Sequence, residues 1–193
     1  KQELYKALVN DWATSGGVDN AKDHLILANT NADVRKINQL AQEKRKQEKA
    51  LGKRHTRING ETLYEGDRVL FRQNDKRQDV KNGIGGTLEK IDLLRKQLTV
   101  TLDNQESRTF SKDEYDQLSL GYSVTTHKAQ GITVKNAYVL AGGRIQDKEM
   151  TYVQMSRAKE MTRIYTQGKS EKKAVETLQG QMERSNQKTL AQD

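Results

Sequence analysis

The chain has 193 residues, enough for one large domain or two small ones, and it contains neither Cys nor Pro. Without Cys a disulfide framework is excluded, and nothing asks for an oxidising compartment. Lys and Arg outnumber Asp and Glu to give a net charge of +8, which suits a polyanionic partner but is shared by many soluble proteins that bind none.

Leu, Ile, Val and Phe supply only 39 residues, at the edge of the roughly 20% below which chains tend not to fold, so the expected core is small. The opening segment spaces Leu4, Leu8 and Trp12 four apart, one stripe of a helix that Gly16-Gly17 ends. His24 to Ala28 is a short apolar run of the kind buried in a parallel strand. A helix follows at once, with Asn31 as its cap and Val34, Ile37, Leu40 and Ala41 on its inner face. A strand running straight into a helix is the α/β unit.

The outer face of that helix and its continuation, Arg35 to Arg54, hold eight basic residues against Glu43 and Glu48. Such a run is in most proteins a solvated face; contact with phosphates is the competing reading. From Thr56 to Ser119 the pattern becomes short period-2 segments, at Asp67 to Arg72, Gly86 to Ile91, Leu98 to Leu102 and Arg108 to Phe110, with Asn82-Gly83 as a tight-turn signal. These predict a small antiparallel barrel or curled sheet inserted into the α/β body. Beyond it come strands at Tyr122 to Thr125 and Ala137 to Ala141, a helix around Met150 to Lys159 and a strand at Thr162 to Thr166. After Gly168 a polar helix leads into a tail, 181–193, that is expected to be disordered. No apolar run approaches the ~20 residues that span a bilayer, and Lys1-Gln2-Glu3-Leu4 lacks a signal-peptide core, so a cytoplasmic protein without membrane insertion is expected.

Two stretches stand out chemically. In Gly121 to Thr133 a strand ends in a run of polar and small residues, and strand ends of α/β sheets are where ligands bind. In Tyr152 to Lys159, Arg157 sits on a partly apolar, helix-like segment, where burying it is costly unless it meets a fixed anion. His24, His55 and His127 are the only histidines, and without Cys they suggest no metal site. Of the aromatics, Tyr64, Tyr115, Tyr122 and Tyr138 could stack on bases, but most are expected to fill the core.

Thr126-His127-Lys128-Ala129-Gln130-Gly131 resembles motif V of RecD-like superfamily-one DNA helicases, and Tyr152 to Lys159 resembles their motif VI. Gly66-Asp67-Arg68-Val69 and Asn82 to Thr87 are similar to the SH3-like barrel inserted in the second RecA-like domain of that family. Gln130-Gly131-Ile132-Thr133 followed by Ala137 to Ala141 resembles most the helicase half of plasmid conjugative relaxase-helicases. The resemblance implies a first part of a RecA-like domain at 1–55, the barrel at 56–119, the remainder with motifs V and VI at 120–180, and the tail.

It further implies roles. Arg157 would be the arginine finger reaching the ATP γ-phosphate; Gln130, Gly131 and Arg35 would line the nucleotide cleft, Arg35 lying with Asn29, Thr30 and Asn31 where motif IV belongs. Thr125, Thr126, His127 and Lys128 would face single-stranded DNA. The pattern departs from the wider family at Thr133, where many members place a ribose-contacting Glu. No G-x-x-x-x-G-K-[ST] and no acidic pair closing an apolar strand occurs in the sequence, so ATP and Mg2+ would be held with the N-terminal RecA-like domain of a longer polypeptide and neither by this chain alone. Two functions are therefore expected: the C-terminal motor domain of an ATP-dependent helicase, partnered with single-stranded DNA and the conjugative transfer machinery, or a decayed, non-catalytic module that binds single-stranded DNA or docks a secretion partner.

Overall fold

A computed structural model describes residues 1–129, 132–142 and 158–166. In chain order the elements are α1 (Gln2–Trp12), β1 (His24–Ala28), α2 (Asn31–Gln47), β2 (His55–Ile58), β3 (Glu61–Tyr64), β4 (Arg68–Phe71), β5 (Gly85–Asp92), β6 (Gln97–Leu102), β7 (Ser107–Ser111), β8 (Leu118–Leu120), β9 (Ser123–Thr125), β10 (Val134–Leu140) and β11 (Ala158–Tyr165). They divide into two compact units, one of Lys1–Leu40 with the residues from Ser123 onward, the other of Ala41–Tyr122.

The first unit is built on a parallel sheet of order β11-β10-β1-β9. β1 lies between two partners, so all five of its residues are buried, and its unbroken apolar run follows from cover on both faces. α1 buries Tyr5, Leu8, Val9 and Trp12, a stripe shifted from the expected one, with Leu4 only half-buried. The Trp12 indole donates to the His24 carbonyl at 3.0 Å. Gly17 packs so close that a Cβ there would lie 2.2 Å from the Trp12 ring, and Gly16 has φ +121°, which ends the helical segment.

α2 is capped by Thr30 rather than Asn31. The Thr30 hydroxyl accepts from the Asp33 amide at 3.1 Å and donates to its carboxylate at 2.8 Å, satisfying an amide that the helix cannot. The buried positions of α2 are Asp33, Ile37, Asn38, Ala41 and Arg45, whereas Val34 and Leu40 are half-buried. Ala158 and Lys159 open β11, where the sequence predicts the end of a helix; residues 150–157, like the tail 181–193, lie outside the described residues.

The second unit holds an antiparallel sheet of order β7-β6-β5-β4-β8 and the β2–β3 hairpin. Phe71, Phe110 and Tyr115 form its aromatic centre, with ring centroids 5.5 to 5.9 Å apart. Asn82-Gly83 is not a two-residue hairpin turn but the return of a longer connection, Gly83 donating to the Phe71 carbonyl at 2.8 Å. Asn82-Gly83 does form a tight turn, closed by the Ile84 amide donating to the Lys81 carbonyl at 3.2 Å, but the two-residue hairpin turn is Asn59-Gly60, at φ +49° and +79°, between the directly paired Ile58 and Glu61. Both central residues there need positive φ, which matches the twist of the flanking strands.

A buried polar cluster ties this unit together. Asp67 has no exposed surface; its carboxylate accepts from the Tyr122 hydroxyl, from the Tyr64 amide at 2.7 Å and from Gln42 Nε2 at 2.7 Å. Arg45 donates to the Gly66 carbonyl at 2.6 Å and to Tyr122 Oη at 3.0 Å, so this member of the basic run is internal rather than solvated. Burial pushes the Asp67 carboxyl above the usual range even against these donors. Burial, then the neighbouring carboxylate, pushes the Tyr122 phenol up, so it remains a donor at neutral pH.

Candidate functional site

The carboxyl edge of the parallel sheet is where the motif V-like loop begins. Ala28 of β1 pairs with Thr125 of β9, and the Thr126 amide extends the pairing by donating to the Ala28 carbonyl at 3.0 Å. Thr126 turns inward: its side chain is buried and its hydroxyl donates to Asn29 Oδ1 at 3.2 Å. Asn29 in turn donates through Nδ2 to the Gly142 carbonyl, just beyond β10, at 3.1 Å. One buried amide thus holds the ends of three adjacent strands, and its fixed geometry sets where the loop leaves the sheet.

The loop itself is a tight turn. The Ala129 amide donates to the Thr125 carbonyl at 3.1 Å and the Lys128 amide meets Thr125 Oγ1 at 3.4 Å. Folding Thr125 and Thr126 into the turn leaves His127 exposed at the tip, with Lys128 half-buried beside it. An imidazole and an ammonium on such a hydrogen-bonded turn are donors that can position phosphates without reading bases. β9 is fixed from behind by Asn38, whose Oδ1 accepts from the Ser123 amide at 2.8 Å. Asn38 escaped the sequence reading, although an Asn within the apolar stripe of Ile37 and Ala41 was the available signal.

Arg35 lies exposed one turn into α2. The start of that helix is held by Asp33, which receives the Tyr5 hydroxyl and lies 2.8 Å from Lys1 Nζ. Burial pushes the Asp33 carboxyl up, but the hydrogen bonds from Lys1, Tyr5 and Thr30 together outweigh it and hold it below the ordinary value. Gln130, Gly131 and Arg157 lie outside the described residues. Among the described residues no group of three His, Asp or Glu could hold a metal ion, and no helix is long and apolar enough to cross a membrane.

No family model matches the chain. Its sequence is similar to the conjugal transfer protein TraA of Agrobacterium fabrum, 33% identical over 169 residues that cover 86% of this chain and 15% of that protein. A probable conjugal transfer protein TraA of Sinorhizobium fredii is 30% identical over 195 residues, 98% of this chain and 17% of that one. The chain therefore spans 15 to 17% of the length of these relatives. Among solved structures, the Pif1 helicase from Bacteroides in complex with ADP-AlF3 and ssDNA superposes with a TM-score of 0.55 at 18% identity, over 89% of this chain and 50% of that one. Bacteroides Pif1 bound to ssDNA gives 0.52 at 18% identity, over 86% and 50%. Likeness at that identity bears on the fold, and the TraA matches bear on the lineage. The chain is thus an α/β domain folded like a part of the Pif1 helicases and similar in sequence to one stretch of the conjugal transfer TraA proteins.

Proposed function

We propose that this chain is the C-terminal motor domain of an ATP-dependent DNA helicase inside a conjugal transfer protein of the relaxase-helicase type. The observation that carries the reading is the loop after β9. It leaves the carboxyl edge of a parallel sheet, is pinned by Asn29 and Thr126, and presents His127 outward with Lys128 half-buried beside it. It does so in a chain one-third identical to a TraA protein. That the Bacteroides Pif1 helicase it resembles in fold has been solved bound to ssDNA supports a single strand as the partner.

On this reading His127 and Lys128 hold the phosphates of one strand, while Thr125 and Thr126 shape the loop and place those donors. Arg157, with Gln130, Gly131 and Arg35, faces the nucleotide. A guanidinium there stabilises charge that develops on the transferred phosphoryl group, whereas the phosphate-binding Lys and the Mg2+ ligands belong to a preceding RecA-like domain. The antiparallel sheet and hairpin of the second unit serve as the SH3-like barrel insertion. The conjugative transfer machinery is a further partner.

In a longer protein that includes the ATP-binding half, Arg157→Ala should lower DNA-stimulated ATPase by about 10³-fold or more, the range for an arginine finger. Single-strand affinity should be unchanged. ATPase equal to that of the parent overturns the motor assignment and leaves the alternative, a non-catalytic DNA-binding or docking module.

A further inference from the structure

β2 alternates strictly, with Thr56 and Ile58 buried and His55 and Arg57 exposed. The inward residues account for the strand's packing; the outward ones have no such reason. His55 stands directly across from Tyr64 on β3, and the two rings have centroids 5.2 Å apart and planes tilted 42° to one another. Lys46 of α2 sits with its ammonium 4.9 Å from the Tyr64 ring centre and 3.1 Å from its hydroxyl. The His55 ring is steadied by the Lys53 carbonyl, 3.2 Å from Nδ1. Unlike the buried Phe71, Phe110 and Tyr115, this aromatic pair is at the surface, Tyr64 half-buried and His55 exposed.

The charge around the rings is cationic. Lys46, Lys49, Lys53, Arg54 and Arg57 are all exposed. Glu65 is the facing carboxylate, and it is engaged by the Ile91 amide at 3.0 Å and lies 3.9 Å from Arg54. Glu43 and Glu48 offset part of the charge along α2. An exposed aromatic face flanked by cations is what an unstacked base and its two phosphates require, because every base has a π-face and every linkage a negative charge.

We propose that the outward face of the β2–β3 hairpin is a second contact site for single-stranded DNA. One base stacks on Tyr64 with His55 packing against its edge, and Lys46, Lys53 and Arg57 receive the adjoining phosphates. The inference rests on the reading of single-stranded DNA as the partner and adds a contact on the second unit to the one at the loop after β9.

The test is fluorescence anisotropy of the 193-residue chain with a labelled oligothymidylate across a salt series, together with cross-linking to an iodouracil-containing oligonucleotide. Tyr64→Leu and His55→Ala should each weaken binding by about fivefold or more, the lower bound for losing one stacked base. The pair Lys46→Gln, Arg57→Gln should reduce the salt slope by about 1.4, at ~0.7 per phosphate contact. Cross-links should fall between His55 and Tyr64. Far-UV circular dichroism checks that each variant is folded, and Arg57→Gln, on an exposed side chain, keeps the test open if Tyr64→Leu is not.

Unchanged affinity and slope in folded hairpin variants, with weaker binding in His127→Ala, overturns the inference and leaves the loop site standing. Weaker binding in the hairpin variants but not in His127→Ala supports the hairpin and removes the loop. A parent chain that binds no oligothymidylate at low salt overturns the hairpin site.

Discussion

Replacing Tyr122 by Phe isolates the contribution of the buried cluster in the second unit. The change deletes one oxygen and leaves the ring, so packing is preserved and almost no cavity forms. What is lost is the hydroxyl that donates to Asp67 and accepts from Arg45 at 3.0 Å. Both partners are buried charged side chains, Asp67 with no exposed surface and Arg45 at 9%. Hydrogen bonds to charged groups are each worth about 1.5–3 kcal/mol, and the two here share one hydroxyl, so a loss of about 2 kcal/mol is expected. Amide hydrogen exchange reads this directly. Amides such as Leu88 and Gly66, which bond between β5 and the connection from β3 to β4, should exchange roughly 30-fold faster, since 1.4 kcal/mol is a factor of ten. Exchange rates equal to those of the parent would refute the reasoning, because the hydroxyl would then carry no net part of the stability.

Three other outcomes can be checked on the same chain. Gly17→Ala should destabilise the first unit by about 1–3 kcal/mol through overpacking, since the new Cβ would meet the Trp12 ring at 2.2 to 2.6 Å; the fluorescence of Trp12, the single tryptophan, reports it. Asp33 has a carboxyl held below its ordinary value, so its contribution is present above the unfolded-state value near ~4 and is lost as pH falls through the folded-state value. Asp33→Asn should therefore flatten the acid side of a urea-midpoint profile followed by Trp12 fluorescence. Asp67 works in the opposite sense: its carboxyl is raised, so the stability linked to its proton is full at low pH and falls away as pH rises through the folded-state value. Thr126→Val should loosen the loop by removing the donor to Asn29, weakening oligothymidylate binding while leaving the salt slope unchanged, because no phosphate contact is deleted.

The sequence carried some of these features openly and concealed others for identifiable reasons. β1 is legible because burial on both faces demands an unbroken apolar run, and β6 because Leu98, Val100 and Leu102 alternate with polar residues. The apolar face of α1 was displaced because Tyr5 and Val9 share the buried stripe with Leu8 and Trp12, and spacing by fours alone overlooks the i+3 neighbour. Arg45 is hidden among exposed cations, since residue type cannot show that one of them reaches Tyr122 and the Gly66 carbonyl. Asn59-Gly60 and Asn82-Gly83 are the same dipeptide in different surroundings, and only the first joins strands in direct register. At the site, the run of small polar residues after β9 marked the loop. The inward turn of Thr126 depends on Asn29, 97 residues away in the chain.

That separation also has a temporal consequence during synthesis. Ala28 and the segment that completes its pairing are 98 residues apart, with the whole second unit emerging between them. At ~5–20 residues per second, β1 leaves the ribosome roughly 5–20 s before β9 can join it, and β10 later still. The second unit is a contiguous run whose strands pair with one another, so it can assemble while β1, apolar from Leu25 to Ala28, waits without its neighbours. Nascent chains stalled between Tyr122 and Val134 should therefore be the most prone to chaperone capture and aggregation.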